Sequence, residues 1–394
     1  MSSNGRPTAG DSLRVALLSP CFWPEVRRGA ERVVRDLADG LIATGHRPRL
    51  ITSHPGRPSR TVENGLPITR HWRPPGARLD RRRYEAYLTH APFSYLSLRL
   101  GNDDIAQAVH SPDAVAAARW TRRTGKPSVF SYMGIPDHRG LMMRRQRLGL
   151  TLRAIDGCSA VTALSDGVAR EFERWLGVEA RVIYPGVDLG RFHTGWELAE
   201  SPTIFSAAAI EEPAKRIPLL VDAFRLLRRR TPSLRLVLSR PLDPGLAERF
   251  ERENPDVELA DMGRQGEGLP RAYGEAWAVA LPSLGEAFGL VLVEALASGT
   301  PVVASNVGGM AEIVDSDAIG RVFDGHEPEA LARALEEALE LAEDPGTLAA
   351  CRSRADDFSI GRSVERHLEL YRELLGRPAA TVARPDATSA GLTS

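Results

Sequence analysis

Apolar and polar positions along this chain follow two rhythms. Short continuous apolar runs, bounded by Gly, Pro, Ser or Asn, read as buried strands. Between them lie longer segments with apolar positions three and four residues apart, as in helices with one buried face. The first half gives strands at 13–19, 47–52, 65–72, 104–110, 127–132 and 158–164, and helices at 29–43, 113–121 and 141–155. Val33, Val34, Leu37 and Leu41 mark the inner face of the first helix. The second half gives strands at 203–207, 234–238, 277–281 and 300–305, and helices at 215–229, 288–298, 328–341 and 361–375. Strands that alternate with helices predict an α/β fold with parallel, doubly wound sheets.

A chain of 394 residues is long for one domain, and two are expected. The pattern divides it into a first domain at 12–198, a second at 199–360 and a last helix at 361–376. Residues 1–11 and 377–394 are rich in small and polar types and read as disordered. The formal net charge of +0 argues against a general nucleic-acid binder. Cys21, Cys158 and Cys351 are odd in number and scattered, which suggests a reducing, cytoplasmic setting without a disulfide frame. No signal peptide or membrane-spanning run is evident. Lys126 and Lys215 are the only lysines among 51 basic residues.

One stretch carries most of the candidate chemistry. The strand 277–281 runs into a polar loop, the helix 288–298 follows, and Gly299 stops it. Ligands bind at the carboxyl ends of strands in open α/β sheets. Glu294 is the only charge on a helix that is apolar on nearly every side. A buried carboxylate needs a partner, and a ligand hydroxyl would serve. A wet helix edge is the alternative. The N–H groups of Phe288, Gly289 and Leu290 at the helix start favour an anion. Gly289 lets such an anion approach the backbone closely. Glu286 would repel that anion, so it is placed beside a sugar that donates hydrogen bonds to it.

These residues carry a resemblance. Glu286 and Glu294 form E-x7-E, followed by A-x-G-x-P-V-V-A-S from Ala297 to Ser305 and by Gly308-Gly309 with Glu312. This resembles the retaining glycosyltransferases of family 4, which have the GT-B fold of two Rossmann-like domains facing across a cleft. The segment at 24–46 is similar to the family's first strand–turn–helix. The family usually has Gly-Gly where Gly29-Ala30 stand, and places a donor phosphate or the acceptor there, so Gly29 and Glu31 become candidates. Ser165, the segment VIYPGVD at 182–188 and the last helix also resemble the family, whose terminal helix crosses back to the first domain. The likeness spans about residues 13–375.

The resemblance implies transfer of a hexose from a nucleoside diphosphate sugar to an acceptor hydroxyl. The setting would be polysaccharide, glycolipid or glycosylated-metabolite biosynthesis in the cytoplasm, including the inner face of the membrane. It implies no metal and no cofactor beyond the sugar-nucleotide co-substrate. Pro213-Ala-Lys215-Arg216 aligns with the family's Pro-Glu-Lys-Gly, so Lys215 falls on its phosphate lysine. In a chain that otherwise spells cations as arginine, a compact ammonium fits that role. The family's arginine five residues earlier is Ile210 here, and Arg216 is a candidate replacement. The family's histidine at the end of strand 128–132 is Met133. Methionine donates no hydrogen bond. That favours a donor apolar at this edge, such as a 6-deoxyhexose, unless His138 swings in or Tyr132 supplies a hydroxyl. His110, at another strand end, is an acceptor-side candidate or a capping residue.

The stretch 78–99 sets Arg78, Arg81, Arg82, Arg83 and Arg99 among Tyr84, Tyr87, Phe93 and Tyr95. Read as helical, it fits peripheral membrane contact, a phosphorylated acceptor or an ordinary solvated face. Two rival functions stay open: a GT-B-type epimerase or phosphorylase, and a non-catalytic sugar-nucleotide-binding protein.

Overall fold

The structure is a computed structural model that describes residues 12–26, 28–74, 81–263 and 266–376. The expected disorder at 1–11 and 377–394, and Arg78, lie outside the described residues. In the first half come β1 (Arg14–Leu18), α1 (Gly29–Ala43), β2 (Arg47–His54), β3 (Ser59–Glu63), β4 (Leu66–Trp72), α2 (Ala91–Leu100), β5 (Ile105–Ala108), α3 (Ser111–Thr124) and β6 (Ser128–Ser131). They are followed by α4 (His138–Met142), α5 (Arg147–Gly157), β7 (Ala160–Ala163), α6 (Asp166–Leu176) and β8 (Arg181–Val182). The strands form one sheet in the order β3-β4-β2-β1-β5-β6-β7-β8, parallel except for β3 against β4.

The second half contains β9 (Thr203–Ser206), α7 (Ile217–Arg228), β10 (Arg235–Ser239), α8 (Pro244–Glu253), β11 (Glu258–Ala260), α9 (Leu269–Glu275), β12 (Ala278–Leu281) and α10 (Leu290–Ala297). It continues with β13 (Val302–Ser305), α11 (Met310–Ile313), β14 (Gly320–Phe323), α12 (Pro328–Leu341), α13 (Pro345–Asp356) and α14 (Ile360–Leu374). Its sheet runs β11-β10-β9-β12-β13-β14 and is parallel throughout. Helices cover both faces of each sheet, so inner strands such as β5, β6, β9, β12 and β13 are buried at every position.

Three expectations need correction. The helix at 141–155 is two helices, and within 82–99 the chain is helical only in α2 after a short turn at Leu88–His90. One cause serves both. Tyr84 and Arg145 pair as an isolated parallel bridge, with Glu85 N–H donating to Arg145 O at 3.1 Å and Arg145 N–H to Arg83 O at 2.6 Å. A backbone committed to that bridge cannot also be helical. Gln146, at φ 70°, then turns the chain into α5. The third correction is that α10 begins at Leu290 rather than 288, because Gly289 sits at φ 111°. Sequence periodicity also missed β3, an exposed edge strand, and α13, whose capping residue Asp344 accepts from Gly346 N–H at 2.8 Å.

The last helix belongs to the first core. Val364, Leu368, Leu370 and Tyr371 of α14 are buried with Val15, Leu37, Leu41 and Ile183. α14 crosses α1 at Gly40, where any side chain would collide with Val364. The Tyr371 hydroxyl, fully buried, donates to Gln107 Oε1 on β5. Replacing Tyr371 with Phe should leave that buried acceptor unpaired and lower stability by about 1–3 kcal/mol. Urea melts of the two proteins would measure it; an unchanged midpoint would mean that the hydrogen bond contributes nothing.

Candidate functional site

The carboxyl ends of the two sheets face each other across a cleft, and the residues there come from loops that the strands aim inward. On the second side, β12 ends at Leu281 and the chain loops to Gly289, whose positive φ swings it into α10. The loop is docked by Leu284 N–H, which donates to Ala214 O at 2.8 Å. That contact brings the turn Pro213–Lys215 alongside it. Lys215 Nζ reaches Glu286 Oε2 at 2.5 Å. Both side chains keep about a fifth of their surface in solvent.

Arg216 follows in a left-handed conformation, φ 52°, that glycine adopts without strain. Its guanidinium donates to Pro282 O at 2.6 Å, Gly325 O at 3.0 Å and Ser305 Oγ at 3.2 Å. It therefore ties together the loops after β12, β13 and β14. Partial burial without a carboxylate beside it lowers its pKa. Ile210 lies elsewhere, in a groove beside Ile217 and Phe250.

Glu294 is 1% exposed. Its carboxylate has two protein partners. Tyr273 Oη donates at 2.8 Å, and Arg32, from α1 of the other half, forms an ion pair with it. Arg32 lies 5.5 Å over the Phe192 ring and 3.5 Å from Asp36. Burial, and then the Glu294 charge, push the Tyr273 hydroxyl well above its ordinary range, so it stays a donor.

Two further contacts join the halves. Ser165 caps α6 by accepting from Val168 N–H at 3.2 Å and donates its own proton to Ala287 O at 2.8 Å. Glu312 accepts from Asp166 N–H at 2.9 Å and from Gly167 N–H at 2.5 Å, the first turn of the same helix. A carboxylate suits the positive end of a helix. Gly308, at φ 58°, makes this approach possible, since a side chain there would collide with the Glu286 carbonyl.

A cavity of 210 Å³ lies between the halves, lined by Gly29, Met133, Lys215, Glu286, Phe288, Gly289 and Leu290 among others. His138 does not line it; its ring lies 6.0 Å from Trp175 on an outer surface. Tyr132 is packed edge-on against Phe130 and Phe172. Of the three side chains considered for this edge, Met133 is the one in the cavity wall.

A second hollow, of 410 Å³, has Arg28 in its wall, the residue before Gly29 of the first. Arg28, Arg73, Arg144, Arg147, Tyr87 and His110 line it, with Glu85 as the acid present. Glu85 is held by Arg147 at 2.6 Å. His110 meets Tyr87 edge-on at 5.7 Å, and burial lowers its pKa, so the ring is neutral. Although His110 sits at the start of α3, its side chain makes no capping bond. Glu31 is a correction. It is fully buried, accepts from Arg28 N–H at 3.0 Å and from Cys21 Sγ at 3.1 Å, and lines neither cavity. Its role is to fix the turn into α1. Burial, with Glu31 adding to it, pushes the Cys21 thiol up to about 12, which removes it as a nucleophile.

Among the described residues no group of three or more His, Cys, Asp or Glu stands together to hold a metal. Sequence reasoning missed Arg32, Tyr273 and the four arginines of the second hollow. Arg32 was legible only as one exposed position of α1. The arginines come from three segments, Arg28, Arg73 and the pair Arg144 and Arg147, so no single local spacing unites them.

Asp36 offers a pH test of this cleft. Burial raises its carboxyl from 3.8 to about 6, against the opposing pull of Arg32. The folded state thus holds this proton more tightly than the unfolded one. The resulting stability is full below 3.8 and is lost as pH rises through about 6. Asp36→Asn should flatten the stability profile across that window by about 3 kcal/mol. Chemical melts at closely spaced pH values would check it, and parallel profiles for the two proteins would refute it.

Comparison with known proteins follows the two halves. The family Glycosyltransferase Family 4 matches residues 27–191, and Glycosyl transferases group 1 matches residues 194–355. The D-inositol 3-phosphate glycosyltransferase of Saccharomonospora viridis is 35% identical over 216 residues, 50% of this chain and 50% of that protein. The chain thus spans about half the length of that relative. The protein of the same name from Paenarthrobacter aurescens is 27% identical over 388 residues, 88% of this chain and 93% of that one. Among solved structures, sucrose-phosphate synthase from Thermosynechococcus elongatus has a TM-score of 0.76 at 20% identity, covering 92% of this chain and 99% of that one. Anabaena HepE in complex with UDP-glucose has a TM-score of 0.70 at 18% identity, covering 92% and 100%. With both halves matched in order, and with two Rossmann-like sheets facing across a cleft, the chain belongs to glycosyltransferase family 4 and has the GT-B fold.

Proposed function

We propose that the protein transfers a hexose from a nucleoside diphosphate sugar to a hydroxyl of an anionic acceptor, with retention at the anomeric carbon. The observation that carries this reading is a pair of neighbouring cavities. One holds Lys215, Glu286 and the first turn of α10; the other is walled by four arginines, three of which also pair with Glu25, Glu31 and Glu85. The relatives are named for an inositol phosphate acceptor, and HepE was solved with UDP-glucose. Both names fit a donor on the Lys215 side and a phosphate on the arginine side.

The donor diphosphate lies against the free N–H groups of the first turn of α10, with Lys215 as its cation and Gly289 allowing contact. Glu286 then exchanges Lys215 for sugar hydroxyls. Glu294 holds the ribose hydroxyls, and Arg32 yields its place to them. Arg216 contributes by fixing the loops and by its unneutralised charge. Gly29 leaves room where α1 begins, since nothing would touch a side chain there within 4 Å. The acceptor anion sits among Arg28, Arg73, Arg144 and Arg147, with neutral His110 beside it. In this reading no described side chain acts as a nucleophile. The leaving phosphate takes the acceptor proton on the same face, and catalysis is positioning and electrostatic stabilisation.

The test is a turnover assay with a panel of nucleoside diphosphate sugars against phosphorylated and neutral polyol acceptors, with product anomers assigned by NMR. Transfer to the phosphorylated acceptor with retained configuration is expected. In the same series Glu294→Ala should weaken nucleoside diphosphate binding by about 1–3 kcal/mol in calorimetry. An inverted product, preference for neutral acceptors or unchanged affinity would each overturn the corresponding part.

Met133 sets the donor edge. A sugar hydroxyl against a thioether would be left unpaired at about 1–3 kcal/mol, whereas a methyl group gains contact. Competition between a hexose nucleotide and its 6-deoxy counterpart should favour the deoxy sugar, and Met133→His should reverse the order. Equal competition would refute this specificity.

A further inference from the structure

Arg144 of the arginine-lined acceptor hollow also lines a wider hollow of 600 Å³, with Arg83, His138, Arg139, Met142 and Met143. Met142 and Met143 are each 59% exposed, at the end of the short helix α4. Beside them His138 leans towards Trp175, which is 41% exposed and has its indole N–H satisfied by Glu171 Oε2 at 2.6 Å. Arg83 and Arg139 form no ion pair with a carboxylate among the described residues. Asp137, the residue that caps α4, accepts from Gly140 N–H at 2.7 Å, and α4 itself carries no acid. The face therefore joins flexible apolar side chains, an indole and unneutralised guanidinium groups beside a polar pocket.

Two exposed methionines and a tryptophan gain nothing from water. Arginines around them exclude a neutral apolar partner and complement a negative one. Trp and Arg prefer the boundary between headgroups and acyl chains, and each basic residue near an anionic bilayer strengthens binding. We propose that this face docks on an anionic lipid surface, so that the acceptor entering the hollow is the negatively charged headgroup of an amphiphile whose tail stays in the membrane. This rests on the acceptor reading given above. It goes beyond that reading in the class of acceptor: an anchored molecule presented by a surface, rather than a free one.

A second basic and apolar face provides an internal control. Leu96 and Leu100 of α2, 53% and 77% exposed, lie with Arg99, Arg119, Arg122 and Arg123 around another open hollow. Both α2 and α3 end where β5 and β6 begin, so this face is at the opposite end of the sheet from the cleft. A membrane bound there would not present its headgroups to the acceptor hollow.

The experiment is co-sedimentation of the full chain with vesicles of phosphatidylcholine alone or with about one third phosphatidylglycerol, at low and high salt. Binding to the anionic vesicles at low salt, weakened at high salt, is expected. The double substitution Met142→Asp, Met143→Asp should weaken it about tenfold or more, as lost apolar insertion requires. Arg122→Glu with Arg123→Glu should leave it within about twofold, because that face is not in contact. Absence of binding to anionic vesicles at low salt overturns the proposal. So does binding that survives the methionine change but is lost with the Arg122 and Arg123 change. Transfer to a water-soluble phosphorylated acceptor is measured on the same samples. If transfer persists while vesicle binding fails, the docking proposal falls and the acceptor reading stands. If no transfer occurs to any anionic acceptor, free or in vesicles, the acceptor reading itself falls.

Discussion

A carboxylate withdrawn from water must be compensated, and at Glu294 that requirement spans both halves of the molecule. Tyr273 satisfies one oxygen from within the second half, and Arg32 satisfies the other from the first. Neither partner alone neutralises the charge in place: the tyrosine is neutral, and the arginine is itself buried beside Asp36 and Phe192. The apolar helix that carries Glu294 can therefore stay dry only while α1 is close. The position of the first half relative to the second is in this way tied to the charge state of one buried group.

Around that pair, backbone geometry decides how near the sheets can come. Gly308 lets the loop after β13 lie on the Glu286 carbonyl, and Glu312 then reaches the amino end of α6. Ser165 bridges to Ala287 from the same helix end. The 210 Å³ cavity and the arginine-lined hollow take consecutive residues into their walls, Gly29 in the first and Arg28 in the second. Both residues belong to one turn, so a shift of that turn alters both walls.

Much of the fold was legible in the sequence, because buried parallel strands are written as unbroken apolar runs and the helices between them keep a clear period. The edge strand at Ser59–Glu63 was not, since its exposed face leaves no apolar signal. The break between α4 and α5 was not either, because it depends on a bridge from Arg145 to Tyr84, sixty-one residues away in the chain by number. In the site, Lys215, Glu286 and Glu294 stood out through local chemistry: a rare lysine, a loop acid and a lone charge on an apolar helix. Glu31 entered only through the resemblance at the turn 29–31, and its carboxylate accepts from Arg28 N–H at the start of α1. Spacing alone cannot distinguish a carboxylate that faces a cavity from one that holds its own helix. Arg32 and the arginine quartet were illegible because only tertiary packing assembles them.

The position of α14 bears on how the protein comes into being. The first core is closed by Val364, Leu368, Leu370 and Tyr371, which are more than three hundred residues downstream of the strand β1 they cover. A nascent chain leaving the ribosome thus exposes an apolar furrow along α1 throughout synthesis of the second half. That furrow is filled only once α14 emerges and folds back. The amino-terminal half is consequently the last to reach its native packing, although it is made first. During translation that furrow is exposed apolar surface, the kind on which unfinished chains associate.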